Sequence, residues 1–173
     1  DQRIETAEQL VAGSKLAQGK TLLADLYSKD LNPAQRSQVA ELLSESELAS
    51  VNNDIKQGEL ESARDKLITF LRKYGVEQET VGPWHKLNEV RFLLARKYQS
   101  EGAVKAALKE YVRIDSDSER YNSAQKAISD IWFESQNETR LQTRTEVRNF
   151  DSLLAEAEEL FKKKHFLTPK RNN

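Results

Sequence analysis

The chain has no cysteine, only two histidines, three prolines and six glycines, and no apolar run approaching the ~20 residues of a membrane span. Without cysteine there is no disulfide, no thiolate nucleophile and no thiolate-bound zinc, although a cysteine-free chain fits any redox compartment. His85 and His165 each lie beside a lysine, and neither has a glutamate or second histidine at ligand spacing. They read as surface histidines, so the sequence implies no metal, no cofactor and no catalytic residue. No GxSxG, Walker A or GxGxxG motif occurs, and no signal-peptide apolar stretch is present. Lys plus Arg number 27 against 28 acidic residues, for a net charge of −1. That balance lacks the positive excess that nucleic-acid binding by bulk electrostatics requires.

What the chain does have is helix-forming composition. Leu, Ala, Glu, Ser, Lys and Gln dominate, and charged residues make up 32% of the 173. An all-α fold follows. The stretch Leu94 to Ile114 reads as two short amphipathic helices around Gly102, with Leu94, Ala95 and Tyr98 on one side and Ala103, Ala107, Tyr111 and Ile114 on the other. The methyl group of Ala107 lets two helix backbones approach more closely than leucine would.

The same phrase recurs. Gly19 is followed five residues later by Ala24, Gly58 by Ala63 and Gly102 by Ala107, and a fourth unit keeps Ala157, Phe161 and Pro169 without the glycine. On these residues the chain resembles the tetratricopeptide repeat family, whose unit is a helix, a turn and a second helix with Ala, aromatic and Pro at such intervals. The glycines lie 39 and 44 residues apart and the last two alanines 50, against about 34 for the family. No unit carries the tryptophan that opens the family's first helix. The resemblance therefore implies an irregular α-solenoid of stacked antiparallel helical hairpins in a single domain over residues 1–173, with units near 3–31, 34–75, 83–115 and 119–169. An insertion is expected near 137–150. The opening at Asp1 and the close on Lys170, Arg171, Asn172 and Asn173 read as those of a piece of a longer protein.

In chain order, Ile4, Ala7 and Val11 predict a first helix over 3–18 that turns at Gly19 into a second over 21–29. Asn32-Pro33 is a helix start, since Asn caps and Pro suits the first position. The helix that follows is expected to run through Ile55. Leu60, Ala63, Leu67, Phe70 and Leu71 mark the buried face of a helix over 59–74, and residues 76–83 read as a loop. Pro83, Trp84 and His85 open the next helix. Asp115 to Glu119 has the letters of half a calcium loop but lacks its glycine and terminal glutamate, so it reads as a polar connection. Tyr121, Ala124, Ala127, Ile128, Ile131 and Trp132 predict another helix, and Ser152 to Phe166 a last one. The carboxylate pairs Glu45 and Glu47, and Glu158 and Glu159, read as solvated.

The resemblance implies a non-enzymatic protein–protein interaction scaffold or adaptor that binds a peptide or protein partner. It also implies groove-facing candidates on the first helices: Asn52, Asn53, Asn88, Arg91 and Lys126. Arg140, Arg144 and Arg148 recur every four residues, which would place three guanidinium forks on one helical face toward an acidic or phosphorylated partner. A charged helix surface relieved by Glu138 and Glu146 is the plainer reading. Lys162, Lys163, Lys164, Lys170 and Arg171 suit a helix end, and Asn137-Glu138-Thr139 is an acceptor triplet that matters only in a eukaryotic secretory context. Lack of cysteine and the processed-looking start are similar to helical-repeat domains of bacterial cell-envelope assembly factors, which would place the chain in the periplasm. The alternative is a regulatory or accessory domain of a larger enzyme. Pairing of an exposed repeat edge with a second copy remains open.

Overall fold

The structure is a computed structural model that describes residues 2–13, 15–75, 81–139 and 152–159, with the side chains of 137–139 excepted. The described residues form helices and turns, with no strand among them: α1 (Gln2–Ala12), α2 (Leu16–Tyr27), α3 (Pro33–Gln57), α4 (Leu60–Tyr74), α5 (Val81–Ser100), α6 (Val104–Tyr111), α7 (Tyr121–Thr139) and α8 (152–159). The chain divides into two compact units at Val90–Arg91, within α5, where the sequence alone suggests one continuous domain.

In the first unit the predicted start at Asn32-Pro33 is a full capping box. The Asn32 side chain accepts the Gln35 backbone N–H at 2.9 Å, and the Gln35 side chain accepts the Asn32 N–H at 3.3 Å. Two of the otherwise unsatisfied amides of the first turn are thereby paired. The helix ends at Gly58 with φ +79°, the left-handed position that glycine adopts without a side-chain penalty. Glu59 then donates its N–H back to Asp54, and α4 returns along α3.

Helix α3 is the middle layer of this unit, with α2 on one side and α4 on the other. Arg36 stacks on Tyr27 near one end of the α2/α3 pair and Lys20 meets Glu47 near the other, which makes these helices antiparallel. Two neighbours explain why the buried positions of α3 wrap more than one side: Val39, Leu42, Leu43, Ser46, Glu47, Val51 and Asp54. Leu23, Val39, Val51, Ala63 and Leu67 are fully buried among them. Each large aliphatic side chain so buried contributes roughly 1.5–3 kcal/mol.

Helix α1 ends at Ala12 and α2 begins at Leu16, so the chain reverses before Gly19 and not at it as the spacing suggests. Gly19 is buried inside α2, and a Cβ there would sit 2.7 Å from Val11 Cγ2, 3.0 Å from Val11 N and 3.3 Å from the Ala7 carbonyl oxygen. It is therefore a point of close helix approach. Alanine would gain ~1 kcal/mol in helix propensity but overpack at a cost of typically 1–3 kcal/mol. Because two of the three atoms it meets are backbone, the loss is expected to exceed the gain. Gly19→Ala should lower stability by about 1 kcal/mol in urea unfolding, and an unchanged or raised midpoint would show that α1 retreats freely.

The second unit contains the end of α5, α6, α7 and α8. Gly102, with φ +75°, turns α5 into α6 as the sequence suggests. Ala95, Ala107, Tyr111, Ile114, Ala124 and Ile131 form its core. Ala63 and Ala107, the expected small contacts, are fully buried, whereas Ala24 and Ala157 are half-buried. Tyr111 packs edge-on to Phe92 and donates its hydroxyl to the Gln99 side chain at 2.9 Å. Burial pushes its phenol above the ordinary value, because phenolate would lose hydration, and nearby Arg96 only partly opposes this. A group that must stay neutral in the fold contributes stability below its unfolded pKa of about 10, and that stability is lost as pH rises through the folded value. In a spectrophotometric titration of the five tyrosines, Tyr111→Phe should remove a phenol that titrates above the ordinary value. Amplitude lost only near the ordinary phenol value of about 10 would contradict the burial.

Candidate partner-binding clefts

In the first unit, α2, α3 and α4 border an open cleft of about 590 Å³ lined by Lys20, Glu47, Ser62, Asp65, Lys66, Thr69, Phe70, Lys73 and Tyr74. Its floor is aromatic. Tyr74 packs 5.0 Å from Phe70 and edge-on, also at 5.0 Å, to Tyr27, while Lys73 lies over the Tyr74 ring at 5.0 Å. Its walls are charged and largely satisfied. Lys20 pairs with Glu47, and Lys66 donates to Asp54 at 2.8 Å and to the Ser50 hydroxyl at 3.1 Å. Ser62 donates to the other Asp54 oxygen at 2.7 Å. Burial raises the Asp54 carboxyl, but the Lys66 and Ser62 bonds outweigh it and hold the group below the usual carboxylate range. Asp65, Thr69 and Lys73 stand exposed at the mouth.

In the second unit, α6, α7 and α8 enclose a smaller, apolar cleft of about 230 Å³. Leu108, Val112, Ile128, Leu153 and Leu154 line it, with Lys105, Lys109 and Arg113 on one edge and Glu156 also in the lining.

None of the five residues proposed to face a groove lines either cleft. Asn52 and Asn53 are exposed on α3 and Lys126 on α7. Asn88 is 3% exposed and is covered by the chain itself. It lies next to Leu87 and two turns before Ala95, on the broad buried stripe of α5, and not on the solvent-facing side that the sequence suggests. Arg91 donates from Nη1 to the carbonyl oxygen of Arg113 at 2.7 Å, so it fastens α5 to the chain just past α6. Arg140, Arg144, Arg148, His165 and the basic residues from Lys162 onward lie outside the described residues.

The chain matches no family model, no curated protein and no solved structure.

Its site must therefore be read from its own side chains. Glu47 is the clearest correction: expected in solvent, it is 5% exposed. A helical wheel contains the signal, since Glu47 falls four residues after Leu43 and four before Val51, both buried. Its cationic partner on α2 could not be read from spacing, because it comes from another helix. Glu45, Glu158, Glu159 and His85 are exposed as expected. Asp115 to Glu119 forms turns, and among the described residues no cluster of His, Asp or Glu could hold a metal ion. Nor is any described helix long and apolar enough to cross a membrane.

Proposed function

We propose that the chain is a non-enzymatic interaction scaffold or adaptor, built as an irregular tetratricopeptide-like α-solenoid of helical hairpins, that holds a peptide or protein segment. The hairpins α1/α2 and α3/α4, the left-handed glycines at 58 and 102 and the buried methyls of Ala63 and Ala107 support the repeat reading. The carrying observation for binding is the aromatic-floored cleft between α2, α3 and α4. It is open to solvent, its floor offers apolar contact, and its exposed Asp65, Thr69 and Lys73 offer hydrogen bonds of both senses to a peptide backbone. Lys20, Glu47, Lys66 and Asp54 are already engaged with one another, which suits a rigid wall better than a reacting group.

The test is a selection from a random peptide library on the full chain, followed by affinity measurement. Thr69→Trp fills the mouth of the cleft from an exposed position. Selected peptides should bind it at least about tenfold more weakly, which corresponds to the loss of ~1.4 kcal/mol, while its melting temperature stays unchanged. Lys126→Glu, on α7 and outside both clefts, should leave binding intact. A selection that enriches no peptide weakened by Thr69→Trp would overturn the proposal.

A further inference from the structure

The second unit supports an independent inference that stands whether or not the first cleft binds anything. We infer that the cleft between α6, α7 and α8 receives one large apolar side chain from an acidic amphipathic helix of a protein partner.

Size comes first. A cavity of ~150 Å³ accommodates a benzene ring, so about 230 Å³ takes a phenylalanine, leucine or tryptophan side chain. Six aliphatic side chains line it, Leu108, Val112, Ile128, Leu153, Leu154 and Ala157, and all six are only half-buried in the chain itself. Apolar surface left partly in water around a concavity is what an inserted anchor would cover.

Charge then selects the occupant. Lys105 and Lys109 lie one turn apart on α6, and Arg113 follows four residues later, so the cationic edge runs along the cleft. Lys105 and Lys109 are both exposed and form no ion pair with a described residue. Glu156 is the only acid among the lining residues. The chain as a whole carries −1, so this edge is a local excess. A helix with an apolar residue aimed inward and Asp or Glu on its flank matches both features, in the helix-in-groove mode. A flat anionic bilayer matches the charge but supplies no side chain to the concavity.

The probe is a fluorescent 16-residue peptide with Leu and Trp at helical i, i+3, i+4, i+7 spacing and Glu at the flanking positions. A control peptide has every Glu replaced by Lys. Fluorescence anisotropy on the full chain should show binding of the acidic peptide only, weakening as salt is raised. Lys105→Glu with Lys109→Glu should weaken it roughly tenfold, as the loss of two exposed charge pairs allows. Val112→Trp, which fills the cavity, should abolish it, and Trp→Ala in the peptide should do the same. Circular dichroism melts of both variants establish that they fold. Should Val112→Trp unfold, the double lysine variant and the peptide alanine substitution decide alone. Equal binding of the lysine peptide, indifference to the double substitution or no binding at all would overturn the inference. So would binding of phosphatidylserine vesicles without the peptide, or a dimer in sedimentation that Lys105→Glu with Lys109→Glu abolishes.

Discussion

Leu67→Ala should lower the stability of the first unit by about 3 kcal/mol, within the 2–5 kcal/mol that such truncations of buried leucine cost. Leu67 is fully buried on α4 and belongs to the cluster that includes Leu23, Val39, Val51 and Ala63. Truncation removes the transfer energy of its methyl groups and leaves a cavity that neighbours on three helices cannot all close. The urea midpoint should fall while the slope of the transition stays constant. Phe133→Ala is the matching control. Although phenylalanine is larger, Phe133 is 60% exposed, and its loss should change stability by under about 0.5 kcal/mol. Comparable losses at the two positions would mean that burial does not set the energetic order, and the packing described for α4 would be wrong.

Lys66→Met should cost about 1–2 kcal/mol at pH 7, and the cost should disappear in acid. The substitution keeps most of the aliphatic stem and removes the ammonium, leaving the Asp54 carboxylate with its side chain 11% exposed and Ser62 as its remaining hydrogen-bond donor there. Breaking a buried pair typically costs 3–5 kcal/mol. Lys66 is itself 38% exposed, so solvent screening reduces that figure here. The pH dependence follows from the sign of the Asp54 shift. Burial raises the carboxyl, the Lys66 and Ser62 bonds lower it further, and the net effect is a folded value below the ordinary one. A carboxylate depressed in this way contributes stability above its unfolded pKa, about 3.9. That contribution is lost as pH falls through the folded value. Wild type and Lys66→Met should therefore differ at pH 5–7 and converge below about pH 4. Urea unfolding at a series of pH values measures this directly. A difference that persisted unchanged into strong acid would assign the loss to packing of the lysine stem and remove the charge interpretation.

The Asp54–Lys66 and Glu47–Lys20 pairs also show why the candidate site was harder to read than the fold. Asn32 before Pro33, Gly58 and Gly102 each act within a few residues of themselves, so helix starts and turns are legible from local chemistry. The same holds for the α4 stripe of Ala63, Leu67, Phe70 and Leu71, because a period of 3.6 needs no knowledge of the partner helix. A cleft is different: Lys20, Glu47, Lys66 and Tyr74 come from three helices, and nothing along the chain links them.

By itself, then, the sequence determined that the chain is helical, where most helices begin and end, and that Ala63 and Ala107 face a neighbour. Only the tertiary structure decided that Gly19 is a contact point inside α2 and not a turn, that Asn88 and Glu47 are covered, and that the candidate surfaces are built from Phe70, Tyr74 and Thr69 in one unit and Leu108, Val112 and Ile128 in the other. The reason is physical. Capping, φ restriction and amphipathic period are properties of a few consecutive residues, whereas the exposure of a polar side chain at the margin of a stripe depends on how many helices pack against that stripe.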